Sequence, residues 1–131
     1  AFSRTVSPKQ RQPRYLPFTD TQLMLLSANG ILFAHTRGAL RGIMAPVYQY
    51  FDAFYMDWYR FQTEKRPRRA RCGWINAYPA LSAKRAMSPT VAKVAASKKF
   101  GSMDEPVNDS KGSGCLLRAV PIGLSYFRED R

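Results

Sequence analysis

The chain has 131 residues, of which 45% are hydrophobic and 13% aromatic, and its 21 lysines and arginines against 9 aspartates and glutamates give a formal charge of +12. A sequence of this length is too short for a multidomain enzyme and too apolar for a disordered chain, so one globular unit is expected. The positive charge makes a polyanion or a phosphate-bearing ligand a candidate partner, but charge alone identifies no chemistry.

The first two predicted segments are an extended arm and a helix. Residues 1–17 combine four basic side chains with three prolines, which block helix interiors and leave little to bury, so a basic extended arm is expected. Thr19 and Gln22 have the spacing of a capping box, and a run that is apolar on nearly every side follows over residues 20–34. Such a helix should lie inside an assembly of other helices, because it has no large solvated face.

The second predicted helix is long and amphipathic. Its apolar residues recur at steps of three and four, and they are Ile43, Val47, Tyr50, Phe54, Trp58 and Phe61. Polar residues fall on its other faces, and they are Gln49, Asp52, Asp57 and Arg60. Pro46 should kink this helix or set its first turn, which makes residues 38–45 a separate turn. The aromatic stripe of this helix is expected in the core, with an exposed partner groove as the alternative.

A basic loop and a short helix are predicted next. Residues 60–71 contain six basic side chains opposed only by Glu64, which indicates an exposed loop. A stretch rich in Ser, Ala and Lys over residues 90–100 follows Pro89, which is typical of the first turn of a short exposed helix.

The last predicted element is a helix that follows a turn. Residues 108–114 are rich in turn formers and lead into the apolar run 115–120, the pattern of a short buried helix that Pro121 interrupts. Taken together, the elements predict an all-α fold with a helical domain over residues 18–131.

Cysteine usage and hydropathy bear on the compartment. Cys72 and Cys115 match neither a metal-knuckle spacing nor a dense disulfide framework, so a reducing, cytoplasmic compartment is expected. No segment offers the roughly 18 uninterrupted apolar residues of a membrane helix, so no membrane partner is expected. Because the sequence begins with Ala1 rather than Met, processing or a piece of a longer chain is expected.

The first motif with chemical content is Phe18-Thr19-Asp20-Thr21-Gln22, at the start of the first helix. The free N–H groups and positive dipole end of a helix N-terminus favour a carboxylate and nearby hydroxyls, so simple capping explains the pattern. Oxygen ligands are also what Mg or Mn prefers, and one carboxylate beside hydroxyls is half of such a site. Taken alone, the segment favours capping over metal binding.

The second motif is Asn108-Asp109-Ser110-Lys111-Gly112-Ser113-Gly114-Cys115. Its glycines let the backbone approach a ligand, and a following helix would direct N–H groups at a phosphate, with Lys111 adding charge. It is not a Walker loop, because Gly112 rather than Ser or Thr follows Lys111. Taken alone, the segment favours a mobile surface turn over a phosphate site.

Together the two motifs resemble the ADP-ribosylglycohydrolase family. In bacterial members the first motif typically reads F-T-D-D-T-Q, and a later one reads close to N-D-S-K-G-C-G-G-V-M-R-V-A-P-I-G. The chain matches the first motif with one Asp absent, and it matches the second at Asn108–Gly112, Gly114, Arg118 and Pro121–Gly123. The similarity continues through Ser27–Ile31 and Asp57–Tyr59, so it spans roughly residues 15–125.

The resemblance implies an orthogonal helical bundle and a metal-dependent hydrolase that cleaves the glycosidic bond between ADP-ribose and a modified side chain. Two divalent ions, Mg or Mn, are implied, with Thr19 and Asp20 as metal ligands and Asp20 as the catalytic carboxylate. The substrate, ADP-ribose or an ADP-ribosylated protein, is expected to contact the second motif. Its implied substrate-binding residues are Asn108, Ser110, Lys111, Gly112 and Gly114.

The departures from the family pattern set a further expectation. Family members carry an upstream Gly-Asp motif and a downstream Asp-rich metal motif, and this sequence has neither. With Asp20 as the matching carboxylate and Asp109 as the nearest further candidate, the metal site is expected to be incomplete. The chain is therefore interpreted as an internal fragment or a degenerate member, and we expect it to be inactive alone.

Three other features suggest their own interpretations. His35 is expected at the surface or in packing, and Cys115 lacks an adjacent His that would support nucleophilic catalysis. The basic cluster is expected to be a solvated loop, or else the contact surface of a nucleic-acid or polyanion-binding protein without catalysis. Its arginines are Arg66, Arg68, Arg69 and Arg71.

Overall fold

The computed structural model describes residues 18–65, 78–99 and 101–126, and every regular element within these ranges is an α-helix. The predicted all-α class is confirmed. The helices are α1 (Thr19–Arg41), α2 (Val47–Thr63), α3 (Pro79–Ser82), α4 (Pro89–Ser97) and α5 (Gly114–Tyr126). The predicted arm at residues 1–17 and the arginines of the basic cluster lie outside the described residues.

The start of α1 differs from the predicted capping box. Phe18 is the N-cap in extended conformation, and no side chain caps the helix. Thr19 is already helical and its Oγ1 donates to the carbonyl of Ala86 at 2.9 Å, while the Gln22 side chain is fully buried. The predicted capping box is therefore wrong. The Thr19 and Gln22 side chains donate hydrogen bonds to backbone carbonyls distant in the sequence instead of bonding to the helix end.

α1 also runs further than the sequence indicated. It continues to Arg41, so the separate turn predicted at 38–45 is wrong for its first four residues. Gly42 ends the helix at φ 63°, a left-handed conformation, and its N–H donates to the carbonyl of Gly38 at 3.0 Å. Glycine adopts this conformation without a steric penalty, so Gly42 is well suited to end the helix.

α2 begins directly after Pro46. The proline sets the start of the helix rather than kinking it, and Ile43 precedes the helix instead of belonging to its apolar face. The helix includes residues 60–63, so the predicted loop at residues 60–71 begins too early. Asp57, expected on a polar face, is buried and forms an ion pair with Arg60 at 3.5 Å.

The core lies between α1 and α2. Its buried cluster contains Leu23 and Leu26 from α1 with Tyr50, Phe54 and Trp58 from α2, so the prediction of a core aromatic stripe is confirmed. The two helices approach closely at Gly30, where an added Cβ would lie 2.7 Å from Cδ1 of Phe51. Phe51 is half-buried, and glycine is needed at position 30 to admit its ring.

The burial of α1 is confined to its first half. Its buried residues fall between Gln22 and Ile31, whereas Leu32 and Phe33 are exposed, so the expected burial on all sides is wrong beyond that point. α2 and α5 both pack against α1, and the burial they provide together is greatest over the stretch from Gln22 to Ile31.

α4 and α5 pack more loosely. α4 is the expected exposed helix after Pro89, and its N-cap Ser88 accepts from the backbone N–H of Val91 at 3.3 Å. α5 contacts α1 but has no buried residue, and it continues through Pro121 to Tyr126. The predicted short buried helix is thus wrong in both burial and length. None of the described helices combines the length and the apolar content that a bilayer span requires.

The exposed side of α5 leads to a first prediction. Large apolar side chains stand in solvent along it, and they are Leu116, Leu117, Val120, Leu124 and Tyr126. A contiguous apolar surface binds hydrophobic dyes and promotes self-association, so the purified chain should enhance the fluorescence of an anilinonaphthalene dye and associate in size-exclusion chromatography.

A charged variant checks the source of that binding. Changing both Leu116 and Leu124 to lysine should lower the dye signal severalfold, while Met103→Lys, on a fully exposed loop residue, should not. A chain that stays monomeric, binds no dye and unfolds in one sharp reversible transition would contradict the prediction.

Candidate functional site

The N-termini of α1 and α5 meet, and with them the two sequence motifs. Asp20 lies in the first turn of α1, and Gly114 is the first residue of α5. Oδ1 of Asp20 is 3.4 Å from the position that a Cβ on Gly114 would occupy. A Cβ at this position would meet the carboxylate at ordinary van der Waals distance, so the start of α5 lies beside Asp20.

The polar side chains at this junction differ in how they are held. Thr19 Oγ1 is fixed by its bond to the Ala86 carbonyl, which ties α1 to the segment before α4. Asp20 is half-buried, and among the described residues its carboxylate has neither an ion-pair nor a hydrogen-bond partner. A carboxylate of this kind, at a helix N-terminus and in contact with a neighbouring backbone, is free to interact with a ligand.

The donor set at the junction does not fit the metal pair that the resemblance implies. Within the described ranges, no three His, Cys, Asp or Glu residues come together as a metal-binding group. One carboxylate and one hydroxyl that already donates to a carbonyl fall short of the six or so oxygen ligands that each hard cation requires. No chemical step is therefore assigned to a metal ion here.

The second motif forms an exposed turn with its own hydrogen bonds. Asn108 Oδ1 accepts from the Ser110 backbone N–H at 2.9 Å, and Ser110 Oγ accepts from the Gly112 N–H at 3.4 Å. Cys115, whose thiol is free and exposed, directs Sγ to the Gly112 carbonyl at 3.6 Å. These contacts shape the segment before any ligand binds, as turn-forming Asn and Ser side chains commonly do.

A groove opens between this motif and α4, with a volume of about 590 Å³. The residues lining it from α4 and the segment after it are Pro89, Thr90, Lys93, Val94, Ser97 and Lys99, and those from the motif side are Val107, Asn108, Asp109 and Ser110. The predicted substrate-binding residues are thereby divided: Asn108 and Ser110 line the groove, Gly114 contacts Asp20, and Lys111 and Gly112 lie in the exposed turn between.

One hydrogen bond joins α1 to α2, and another lies within α5. Ser27 Oγ of α1 and the Tyr55 hydroxyl of α2 are 2.5 Å apart, and Arg118 of α5 donates through Nε to the Gly114 carbonyl at 3.2 Å. Burial raises the pKa of Tyr55, while the Ser27 hydrogen bond and the charge of Arg118 act in the opposite direction. The positive charge of Arg118 thus lies close enough to Tyr55 to influence it electrostatically.

Sequence reasoning missed several of these residues. Tyr55 belongs to no motif, and only its place on α2 opposite Ser27 reveals it. Lys93 and Lys99 were part of an exposed helix with no assigned role, although two lysines flanking a motif that resembles a phosphate loop are a usable signal. His35 is at the surface as predicted, and Cys72 lies outside the described residues.

Comparison of this chain with protein-family models, with curated proteins and with solved structures finds no match. The resemblance to ADP-ribosylglycohydrolases consequently depends on the residues of the two motifs. What the structure adds is their position, since Asp20 of one motif contacts Gly114 of the other.

Proposed function

We propose that this chain is related to the ADP-ribosylglycohydrolases and that its two motifs form one site for ADP-ribose. The contact between Asp20 and Gly114, at 3.4 Å from Oδ1 to the Cβ position, supports this assignment. Two segments that resemble a family by chance have no reason to meet in the fold, whereas two halves of one site must do so.

The chemistry of the junction suits a sugar phosphate. The turn and first residues of α5 offer backbone N–H groups, the hydroxyl of Ser110 and the exposed ammonium of Lys111, which are ligands for a diphosphate. Cleavage of a glycosidic bond builds positive charge at the anomeric carbon, and an adjacent carboxylate stabilises that charge. Asp20 is the described side chain we assign to this role, with Thr19 fixing the start of its helix.

We expect the chain to bind ADP-ribose without rapid hydrolysis of its linkage to protein. The described part of the chain supplies one carboxylate at the junction and no metal-binding group, so we expect weak binding of Mg and little release of ADP-ribose from a modified protein at millimolar Mg. Lys111→Ala should weaken ADP-ribose binding by about three- to fivefold, as expected for the loss of one exposed charge contact. Asp20→Ala should leave that affinity within about twofold at low metal, because a carboxylate attracts no phosphate.

Titration calorimetry on these variants measures the binding, and release of labelled ADP-ribose measures the turnover. Lys65→Ala is the matched control, since Lys65 is also exposed and lies outside both motifs. Equal effects of Lys111→Ala and Lys65→Ala would contradict a specific ADP-ribose loop. Rapid turnover abolished by Asp20→Ala would contradict our expectation of an inactive chain and show that other ligands complete the site.

A second candidate function follows from the formal charge of +12, which favours a basic nucleic-acid or polyanion-binding protein without catalysis. Arg66, Arg68, Arg69 and Arg71 would supply its contacts. A salt titration separates the two proposals, because the affinity for a polyanion falls steeply with salt through counterion release. A compact ADP-ribose site has a much shallower dependence, set by its two phosphates.

A further inference from the structure

The groove between α4 and the second motif has a positively charged wall. Lys93 and Lys99 line it, and neither ammonium forms an ion pair with any residue in the described ranges. Asp109 is the one acidic residue among the lining residues, so the lining carries two positive charges against one negative. Unpaired lysines facing a concave surface attract anions, and lysine is a common ligand of phosphate.

Uncharged donors add to this wall. The first turn of α4 has its Val91 N–H bonded to the Ser88 hydroxyl and its Ala92 N–H bonded to the Ser88 carbonyl, which leaves the Thr90 N–H without an acceptor among the described residues. Asn108 uses its Oδ1 to accept from Ser110, so its amide N–H groups remain available. Thr90 and Asn108 both line the groove, and both supply donors suited to phosphate oxygens.

The lining also has apolar residues beside the hydroxyls of Ser97 and Ser110. These apolar residues are Pro89, Val94 and Val107. Val107 is fixed by the turn before it, where the Ser102 N–H donates to the Glu105 carbonyl at 3.1 Å and a Cβ on Gly101 would lie 3.0 Å from Cγ2 of Val107. The volume of about 590 Å³ falls within the range of about 300–1,000 Å³ that is typical of small-ligand pockets.

We infer that this groove binds a nucleotide, with its phosphates on Lys93 and Lys99 and its base against the apolar residues. No lining residue comes from α1, so the groove does not include Asp20, although it shares Asn108 and Ser110 with the second motif. The inference goes beyond the proposed function, because it gives a role to α4, which neither motif includes, and because it requires no hydrolysis.

ADP is the probe, and its binding is measured by calorimetry and by amide chemical shifts. Lys93→Gln and Lys99→Asn should each weaken ADP binding by about three- to fivefold, the usual effect of one partly exposed charge contact. Lys98→Asn is the matched control. The substitution removes the same charge one residue away from Lys99, at a position that does not line the groove. Asparagine also tolerates the left-handed conformation of position 98, at φ 53°.

Asp109→Asn should change the affinity for ADP in the opposite direction from the lysine substitutions. Removing the acidic lining charge should tighten ADP binding by about twofold or more, and damage to the fold cannot produce a tighter complex. Adenosine, which has no phosphate, should bind at least about tenfold more weakly than ADP.

Several results would overturn the inference: no ADP binding at millimolar concentration, equal losses in Lys98→Asn and Lys99→Asn, or unchanged affinity in Asp109→Asn. ADP binding that depends on Lys93 and Lys99, in a chain whose ADP-ribose binding ignores Lys111→Ala, would support the nucleotide groove and reject the proposed ADP-ribose site. The Lys93 and Lys99 variants therefore test the groove, and Lys111→Ala tests the ADP-ribose loop.

Discussion

Phe54→Ala should lower the free energy of unfolding by about 3–5 kcal/mol, a large fraction of the about 5–15 kcal/mol that stabilises an ordinary domain. Phe54 has no exposed surface and lies in the core cluster with Leu23, Leu26 and Trp58. Its ring also meets that of Phe33 edge-on, with 5.7 Å between centroids. Truncation removes the transfer energy of the ring and leaves a cavity at the contact between α1 and α2.

The measurement is urea denaturation followed by circular dichroism at 222 nm. Phe18→Ala is the control for the same truncation, because the Phe18 side chain is 81% exposed and should change the free energy of unfolding by less than about 0.5 kcal/mol. A loss below about 1 kcal/mol for Phe54→Ala, or equal losses in both variants, would show that α1 and α2 do not form the core described here.

Gln22→Ala should have the second largest effect on stability. The Gln22 amide is fully buried: its Oε1 accepts from Trp58 Nε1 at 2.9 Å and its Nε2 donates to the Ala83 carbonyl at 2.9 Å. Removing it leaves the indole N–H buried without a partner, which costs about 1–3 kcal/mol, in addition to the lost packing of the side chain.

Tryptophan fluorescence during urea denaturation reports the loss and its place in the structure. Gln49→Ala is the matched control, since Gln49 is exposed on α2 and should leave the unfolding midpoint nearly unchanged. Equal midpoints for Gln22→Ala and the parent chain would mean that water or another acceptor satisfies the indole N–H at no cost, which would contradict the tightly packed arrangement around Trp58.

The helices could be predicted because apolar residues recur at the helical period on the face of a helix that is buried. The steps of three and four from Tyr50 through Trp58 reflect a face packed on α1, and Pro89 marks the first turn of α4. The start of α1 was misread because the capping box depends on local spacing alone. In the structure, Thr19 and Gln22 form hydrogen bonds with the carbonyls of Ala86 and Ala83, which a local rule does not consider.

The candidate site was predictable in its residues but not in its arrangement. The motifs identified Asp20 and Gly114, yet only the packing of α1 on α5 brings them into contact. Lys93 and Lys99 gave no motif signal, because an electrostatic groove requires only charges of one sign near a concave surface. Such a surface depends on tertiary packing and leaves no fixed spacing in a sequence.

The segment between α3 and α4 has no regular structure, yet the core holds it firmly. Buried Gln62 accepts from the Arg85 N–H at 2.7 Å, and Gln22 and Gln62 both donate to the Ala83 carbonyl. The amide hydrogen of Arg85 should therefore exchange slowly. Because α4 follows this segment directly, we expect opening of the core to distort the groove. A ligand at a hundred times its dissociation constant would then protect the whole domain by about 2.7 kcal/mol through linkage alone.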